Sequence, residues 1–284
     1  MSVYLAVCAV YRDEAPYLRE WIELHRLVGV ERFYLYNNLS TDDHREVLAP
    51  YVASGVVALT DWPVRPAQIQ CYDQCLKDYR DEARWIAFID LDEFVFSPAG
   101  EPVAEILAEY ERWPGVGANW AVFGASGHRE TPPGLVIESY TRRTADAGIN
   151  RHIKSIVDPT RVRAFCVPHF FMYTDGAAVD ENKREIVGPP YALTGEVSFS
   201  RLRVNHYATR SEEEYRRKLA RGPADSTVPK SELMSEANIA RRLRKLDEVS
   251  DEAILAYLPR LRKALEREQD VPLHDAGAAT TASE

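Results

Sequence analysis

The chain has 284 residues, with 35 Lys+Arg against 44 Asp+Glu for a formal charge of −9, and 45% of its residues are hydrophobic. That suffices for one large α/β domain or two small ones and excludes a disordered or low-complexity chain. An acidic balance without a Lys/Arg block excludes a dedicated nucleic-acid binder, and no stretch approaches the ~20 apolar residues of a membrane span.

Val3–Val10 is a continuous apolar run of strand length, the pattern of a strand covered on both faces. Without a basic leader or a cleavage site it reads as a strand rather than a signal peptide, so a cytoplasmic location is expected. The polar stretch Tyr11–Glu14 follows, and Pro16 opens a helix whose Leu18, Trp21, Ile22, His25 and Val28 share one face before Gly29 closes it. Arg32–Asn37 predicts a second strand, Asn37–Asp42 is turn chemistry, a short helix ends near Gly55, and Val56–Leu59 predicts a third strand. Pro66–Tyr79 carries the helical period through Ile69, Tyr72, Leu76 and Tyr79, and Trp85–Asp90 predicts a fourth strand. Cys71 and Cys75 fall on one helix face; with Cys8 and Cys166 they show no metal or framework spacing and read as reduced, core-side thiols. This β-α-β-α-β-α-β order argues for an open parallel sheet with helices on both faces, in which ligands bind beyond the carboxyl ends of the strands.

The pattern then changes. Pro102–Arg112 predicts an amphipathic helix, followed by short strands at Ala118–Phe123, Leu135–Tyr140, His152–Val157, Arg161–Val167 and Arg201–His206. Ser211 with Glu214 forms a capping box that opens a helix ending at Gly222, and two more helices fill Lys230–Val249 and Asp251–Glu268. The basic groups Arg241–Arg242–Arg244–Lys245 and Arg260–Arg262–Lys263 read as solvated helix faces, and the apolar stripes of these helices as core cover. The expected units are therefore 1–222 as the main domain, 223–269 as a helical extension and 270–284 as a disordered tail.

The sharpest local feature is Asp90-Leu91-Asp92-Glu93 at the exit of the fourth strand. In extended backbone Asp90 and Asp92 point to one side and Leu91 to the other. Carboxylates so crowded call for a positive partner, and a hard divalent cation such as Mn²⁺ or Mg²⁺, which also takes phosphate oxygens, is the natural one. An Asp-x-Asp also arises by chance and can be a solvated acidic turn; its place on the fourth alternating strand favours the functional reading. Arg12, Asp13 and Glu14 sit at the first strand's exit, and Asn38 and Asp42 in the next such loop. Each can be a helix cap, but loops converging on one crevice favour a nucleotide site. His206, just past an alternating strand, and His169 can each supply an imidazole ligand, and either can instead be a packed histidine, as His25 is expected to be.

Taken in order, these segments resemble glycosyltransferase family 92. The likeness rests on Tyr11–Asp42, Gln70 ahead of Cys75–Arg80, Trp85–Phe94, Trp120 with Phe123–His128, His152–Val157 and Asn205–Gly222, and so spans roughly residues 3 to 222. The resemblance implies a GT-A fold: a nucleotide-sugar-binding half-sheet followed by an acceptor-side half. It maps the family's Asp-x-Asp metal motif onto Asp90 and Asp92, the metal-binding role falling most directly on Asp92 with Asp90 nearer the ribose, and a late metal-ligating histidine onto His206, with His169 in reserve. It implies that Lys154, Lys218 and Arg221 face phosphates or acceptor, alongside Arg12, Asp13, Glu14, Asn38, Asp42 and Gln70 as donor-binding residues. The donor implied is a nucleotide-sugar, typically a UDP-sugar and often UDP-galactose in eukaryotic members. The acceptor implied is a glycan or glycolipid, a growing surface polysaccharide in bacterial relatives, with an enzyme at most peripheral to the inner membrane. Inversion, also implied, requires a carboxylate base; Asp180, in a polar loop of the second half, is the first candidate, with Glu130, Glu138 and Glu196 as alternatives.

Other readings are weaker. A sugar-1-phosphate nucleotidyltransferase needs a Gly-rich loop after the first strand, and none lies between Val10 and Tyr17. A haloacid-dehalogenase phosphatase carries its aspartates after the first strand, not the fourth. A non-catalytic carbohydrate or nucleotide binder is the alternative from a different class, and the intact acidic motif speaks against it.

Overall fold

The structure, a computed structural model, describes residues 3–188, 192–222 and 235–269. The expected disordered tail and the start of the predicted Lys230–Val249 helix lie outside them.

The first half follows the predicted alternation: β1 (Val3–Tyr11), α1 (Ala15–Leu27), β2 (Arg32–Asn37), α2 (His44–Ala53), β3 (Val57–Asp61), α3 (Gln68–Tyr79) and β4 (Ala83–Phe88). β1 pairs in parallel with β2 and β4, and β2 in parallel with β3. β1 is buried on both faces because α1 covers one side and α3 the other, which is why its sequence is apolar without alternation. Leu18, Trp21, Ile22 and His25 of α1 are all fully buried, as their spacing predicts. Gly29 ends that helix at φ 101°, and a Cβ there would meet the Ala104 Cβ at 2.8 Å, so close packing and backbone geometry both call for glycine.

The second half is mixed: β5 (Glu93–Phe96), α4 (Val103–Leu107), β6 (Gly115–Phe123), α5 (Val136–Ser139), β7 (Arg142–Arg143), α6 (Ala147–Asn150), β8 (Ile153–Val157), β9 (Val162–Val167), β10 (Phe170–Tyr173) and β11 (Arg203–Tyr207). The sheet continues from β4 through antiparallel β8 to β6, and β11 lies parallel to β6 and antiparallel to β5. Then come α7 (Glu212–Arg221), α8 (Glu236–Leu246), β12 (Val249–Ser250) and α9 (Leu258–Gln269). The capping box of α7 forms as read, Ser211 and Glu214 each satisfying the other's backbone N–H. The α/β class with helices on both faces is therefore the observed architecture, and among the described residues no helix is long and apolar enough to cross a membrane.

Three local expectations are corrected. The segment Leu135–Tyr140 is not a strand but the one-turn helix α5, because both Glu20 carboxylate oxygens accept its first N–H groups, from Val136 at 2.7 Å and Ile137 at 2.9 Å. The apolar stripe of α3 is rotated by one position: Gln68, Cys71, Tyr72 and Cys75 face inward, and Ile69 is exposed. β4 ends at Phe88, so Asp90-Leu91-Asp92-Glu93 is a turn closed by Glu93 N–H on the Asp90 carbonyl at 3.0 Å, not extended backbone. Cys8, Cys71 and Cys75 are buried free thiols, as expected.

Candidate active site

A cleft of about 420 Å³ opens beyond the carboxyl ends of β1 and β4. It is bordered by Arg12, Glu14 and Asn38 from the first two loops, by Asp90 and Asp92, by Trp120, His169 and His206 from the second half, and by Lys218 and Arg221 from α7. A second cavity of about 350 Å³ adjoins it, sharing Arg12, Glu14, Asp92, Lys218 and Arg221 and adding Asp13 and Arg210. Parallel strands leave their exit loops on one edge, and the β11–α7 connection brings the basic helix to that edge.

The acidic turn is held from behind. Glu93, fully buried at the start of β5, accepts the Asp90 N–H at 2.8 Å and lies 3.1 Å from Lys154 Nζ. Lys154, also fully buried, donates to Asp90 Oδ2 at 2.7 Å, and Gln68 donates to Asp90 Oδ1 at 2.7 Å. Two carboxylates thus share one ammonium. Burial works against the charge on Lys154, but Asp90 and Glu93 raise its pKa well above the usual range. Burial pushes Glu93 up to about 7, with Lys154 opposing it. Asp92 faces the other way, paired with Lys218 Nζ and 3.5 Å from His206 Nε2. Burial would raise its carboxyl, but Lys218 and His206 hold it well below the usual carboxylate range.

His206 lies on β11 opposite Glu93, its ring tilted against Trp120 at 4.5 Å between centroids. Its Nδ1 is 3.9 Å from Glu93 Oε1, and both atoms are buried without a hydrogen bond. His169 packs edge-on to the same indole at 5.1 Å, with Nδ1 3.1 Å from the Ile153 carbonyl. Burial, helped by the Lys154 charge, lowers its pKa to about 2, so it is neutral.

The first two loops are tied to each other. Asp13, at φ 52°, accepts from Thr41 N–H at 2.7 Å while its own N–H donates to Ser40 Oγ. Glu14 accepts from Arg210 at 2.8 Å and from Arg221 at 3.0 Å, and Arg221 also donates to the Arg12 carbonyl. Asn38 donates to the carbonyls of Trp62 and Val64. Asp42 does not border the cleft; it accepts the Ala15 N–H at 2.7 Å and so caps α1 from the neighbouring loop.

Several expectations are corrected by these positions. Gln70 is exposed and away from the cleft; the rotated stripe of α3 puts Gln68 in its place. Lys154 is fully buried behind Asp90 and has no exposed atom to offer a phosphate. Asp180 is buried and accepts N–H groups from Asn182 and Arg184 at 2.9 Å each, which makes it a turn residue outside the cleft. Glu138 and Glu196 pair with Arg262 and Arg184 on the surface, and Glu130 is exposed outside both cavities. The carboxylates that border the cleft are Glu14, Asp90 and Asp92. Sequence reasoning passed over Gln68 and Arg210. The inward period of α3 was the signal for the first, and Arg210, in the left-handed region at φ 52°, carried none.

Asp92 Oδ2 and His206 Nε2 are close enough to share one cation, and Glu93 is the carboxylate facing the other ring nitrogen, at 3.9 Å. Among the described residues no three His, Cys, Asp or Glu side chains cluster to hold a metal. A divalent ion held chiefly by substrate phosphates needs few protein groups, and a carboxylate beside an imidazole is a donor set that suits Mn²⁺ better than Mg²⁺.

A glycosyltransferase family 92 protein of Oryza sativa subsp. japonica is 34% identical over 178 residues, covering 61% of this chain and 30% of that protein. A family 92 protein of Arabidopsis thaliana is 32% identical over 167 residues, covering 55% and 28%. The chain thus spans about a third of the length of these relatives. Among solved structures, S. aureus TarS 1-349 in complex with UDP-GlcNAc is 12% identical with a TM-score of 0.36, covering 55% of this chain and 46% of that one. The sequence pattern of Glycosyltransferase family 92 matches residues 2–236, and the chain belongs to that family.

Proposed function

We propose that this protein transfers a sugar from a nucleotide-sugar, in the first instance a UDP-sugar, to a hydroxyl of a glycan or glycolipid acceptor, with a divalent cation, Mn²⁺ or Mg²⁺, at Asp92 and His206. One observation carries the reading: the two aspartates of the β4–β5 turn border one cleft with Arg12, Lys218 and Arg221 and with the indole of Trp120. A diphosphate needs cations and a hexose needs a flat apolar face beside polar groups, and both stand within that cleft.

As the bond between sugar and phosphate breaks, negative charge grows on the leaving diphosphate. Lys218 and Arg221, on one face of α7, are placed to donate to it where the charge develops. A bound cation supplies Lewis-acid stabilisation of the same leaving group. Asp92, kept ionised, is ready to ligate at any physiological pH. Both oxygens of the Asp90 carboxylate are held, Oδ1 by Gln68 and Oδ2 by Lys154, which fixes the group at the border of the cleft. Inversion at the anomeric carbon, which the family likeness suggests, is checked by NMR of the product.

The test is release of UDP from a panel of UDP-sugars, with and without Mn²⁺. The expected result is metal-dependent release that rises when acceptor is added and vanishes in Asp92→Ala. Binding of nucleotide-sugar without turnover under any of these conditions supports the second reading, a non-catalytic binder. That reading is favoured by one observation, that Lys154 and Lys218 already neutralise Asp90 and Asp92.

A further inference from the structure

The helix α8 turns an apolar face toward the rest of the molecule. Ile239 packs with Tyr215 and Leu219 of α7, Leu243 joins them, and Leu246 packs with Val122 and Ala208. Arg242 is three residues after Ile239 and four before Leu246, so at 3.6 residues per turn it flanks that face, and it is exposed.

Arg242 borders the cleft that also holds Asp92, Lys218 and Arg221. Its basic neighbours have other uses: Arg241 donates to Asn238 at 2.9 Å, and Lys245 pairs with Asp146 at 2.6 Å. Lys218 and Arg221 have carboxylate partners in Asp92 and Glu14, whereas no carboxylate among the described residues pairs with Arg242. The helix that carries it is fixed at both ends. Glu236 receives two hydrogen bonds from Arg216, at 2.6 and 2.7 Å, and Asp247 accepts N–H groups from Ser126 at 2.9 Å and Gly127 at 3.3 Å. A guanidinium on an anchored helix, at the border of this cleft as well as of a surface cavity with Asn238, Arg241 and Lys245, and without a carboxylate partner among the described residues, is arranged for an anion that arrives with a ligand.

We infer that Arg242 is a positioning residue for the donor, its guanidinium meeting a phosphate oxygen of the nucleotide-sugar diphosphate beside Lys218 and Arg221. The inference rests on the function proposed above. The basic residues of the C-terminal helices are all exposed, as expected, and the inference gives one of them, Arg242, a ligand. The family pattern ends at residue 236, where α8 begins, so the contact comes from outside the matched region.

Binding of UDP, UMP and uridine to the full chain, by calorimetry at fixed salt in the presence of Mn²⁺, tests it in wild type, Arg242→Ala, Arg242→Gln and Arg242→Lys. The Ala and Gln variants should lose about tenfold in affinity for UDP, the scale of one charge-assisted hydrogen bond. They should leave uridine unchanged, and Arg242→Lys should recover most of the loss. All should keep the wild-type melting temperature, since the side chain is exposed. Equal affinity for UDP in wild type and Arg242→Ala overturns the inference alone, as does an equal loss for UDP and uridine. A wild-type protein that binds no UDP overturns the proposed function and this inference with it.

Discussion

Lys218 of α7 donates to Asp92 across 126 residues of sequence, tying the last helix of the matched region to the turn after β4. Asp90, two residues earlier on the same turn, takes its cation from β8 instead. The two aspartates therefore differ in kind. Lys154 is sealed behind Asp90, and Lys218, with 41% of its side chain exposed, stands in the cleft where it can move.

Asp92→Ala should abolish sugar transfer, by at least a hundredfold, while costing little stability. The mutation leaves behind an ammonium that water can reach and removes a carboxylate whose burial is itself costly. Activity assays beside a melting curve check this. A variant with wild-type turnover in the presence of chelator would remove both the residue and the metal from the reaction.

Lys154→Met should behave in the opposite way. It leaves Asp90 and Glu93 without their shared cation, and Glu93 is fully buried. Breaking a buried pair by removing one partner costs about 3–5 kcal/mol. Lys218→Met removes a half-exposed cation but leaves Asp92, 14% exposed, with His206 beside it, so it should cost less than Lys154→Met. Urea denaturation of both variants makes the comparison; similar small losses would mean that Lys154 is not the structural cation of the turn.

How far the site was legible in the sequence follows from where its side chains come from. The strand–helix alternation placed Arg12, Glu14, Asn38, Asp90 and Asp92 beside one cleft because strand exits in a parallel sheet share an edge. His206 was found by the same reasoning on a later strand. The roles of individual side chains were less legible. Asp42 and Asp180 satisfy backbone N–H groups, and Lys154 is turned inward, because tertiary contacts that no local pattern encodes decide which polar residue faces the ligand. Gln68 against Gln70 was a matter of helical phase: two polar residues two apart lie on opposite sides of α3, and only packing against β1 selects one. The helix α5 is hidden for a similar reason, since its N-terminal groups are satisfied by Glu20 from a helix more than a hundred residues away.

Glu20 also predicts a pH dependence of stability. Burial raises its carboxyl to about 7 despite the two backbone hydrogen bonds from α5. Its unfolded value is about 4.5, so the native state holds a proton that the unfolded chain has lost between those pH values. The stabilising effect is full below about 4.5 and disappears as pH rises through about 7, with a span of about 3 kcal/mol. Glu20→Gln should flatten this part of the profile of unfolding free energy against pH. A profile as steep in the variant as in wild type would assign the dependence to another group.

His206 is the sharpest test of the metal reading. Its Nε2 faces Asp92 at 3.5 Å, and its Nδ1 faces Glu93 at 3.9 Å. If Nε2 ligates a cation, the Nδ1 proton faces Glu93, and closing that 3.9 Å gap to hydrogen-bond distance gives both buried atoms the partner they lack. A nitrogen ligand suits Mn²⁺ better than Mg²⁺, which prefers oxygen. His206→Ala should therefore raise the Mn²⁺ concentration needed for half-maximal activation by tenfold or more and shrink any preference for Mn²⁺ over Mg²⁺. The alternative is a packing role, since the ring rests on Trp120. In that case the variant melts earlier but keeps the wild-type metal titration per folded molecule. His169→Ala is the control: its imidazole shares the cleft and the same indole, but its Nδ1 already serves the Ile153 carbonyl. A metal titration that shifts in His169→Ala and not in His206→Ala would transfer the ligand role to His169.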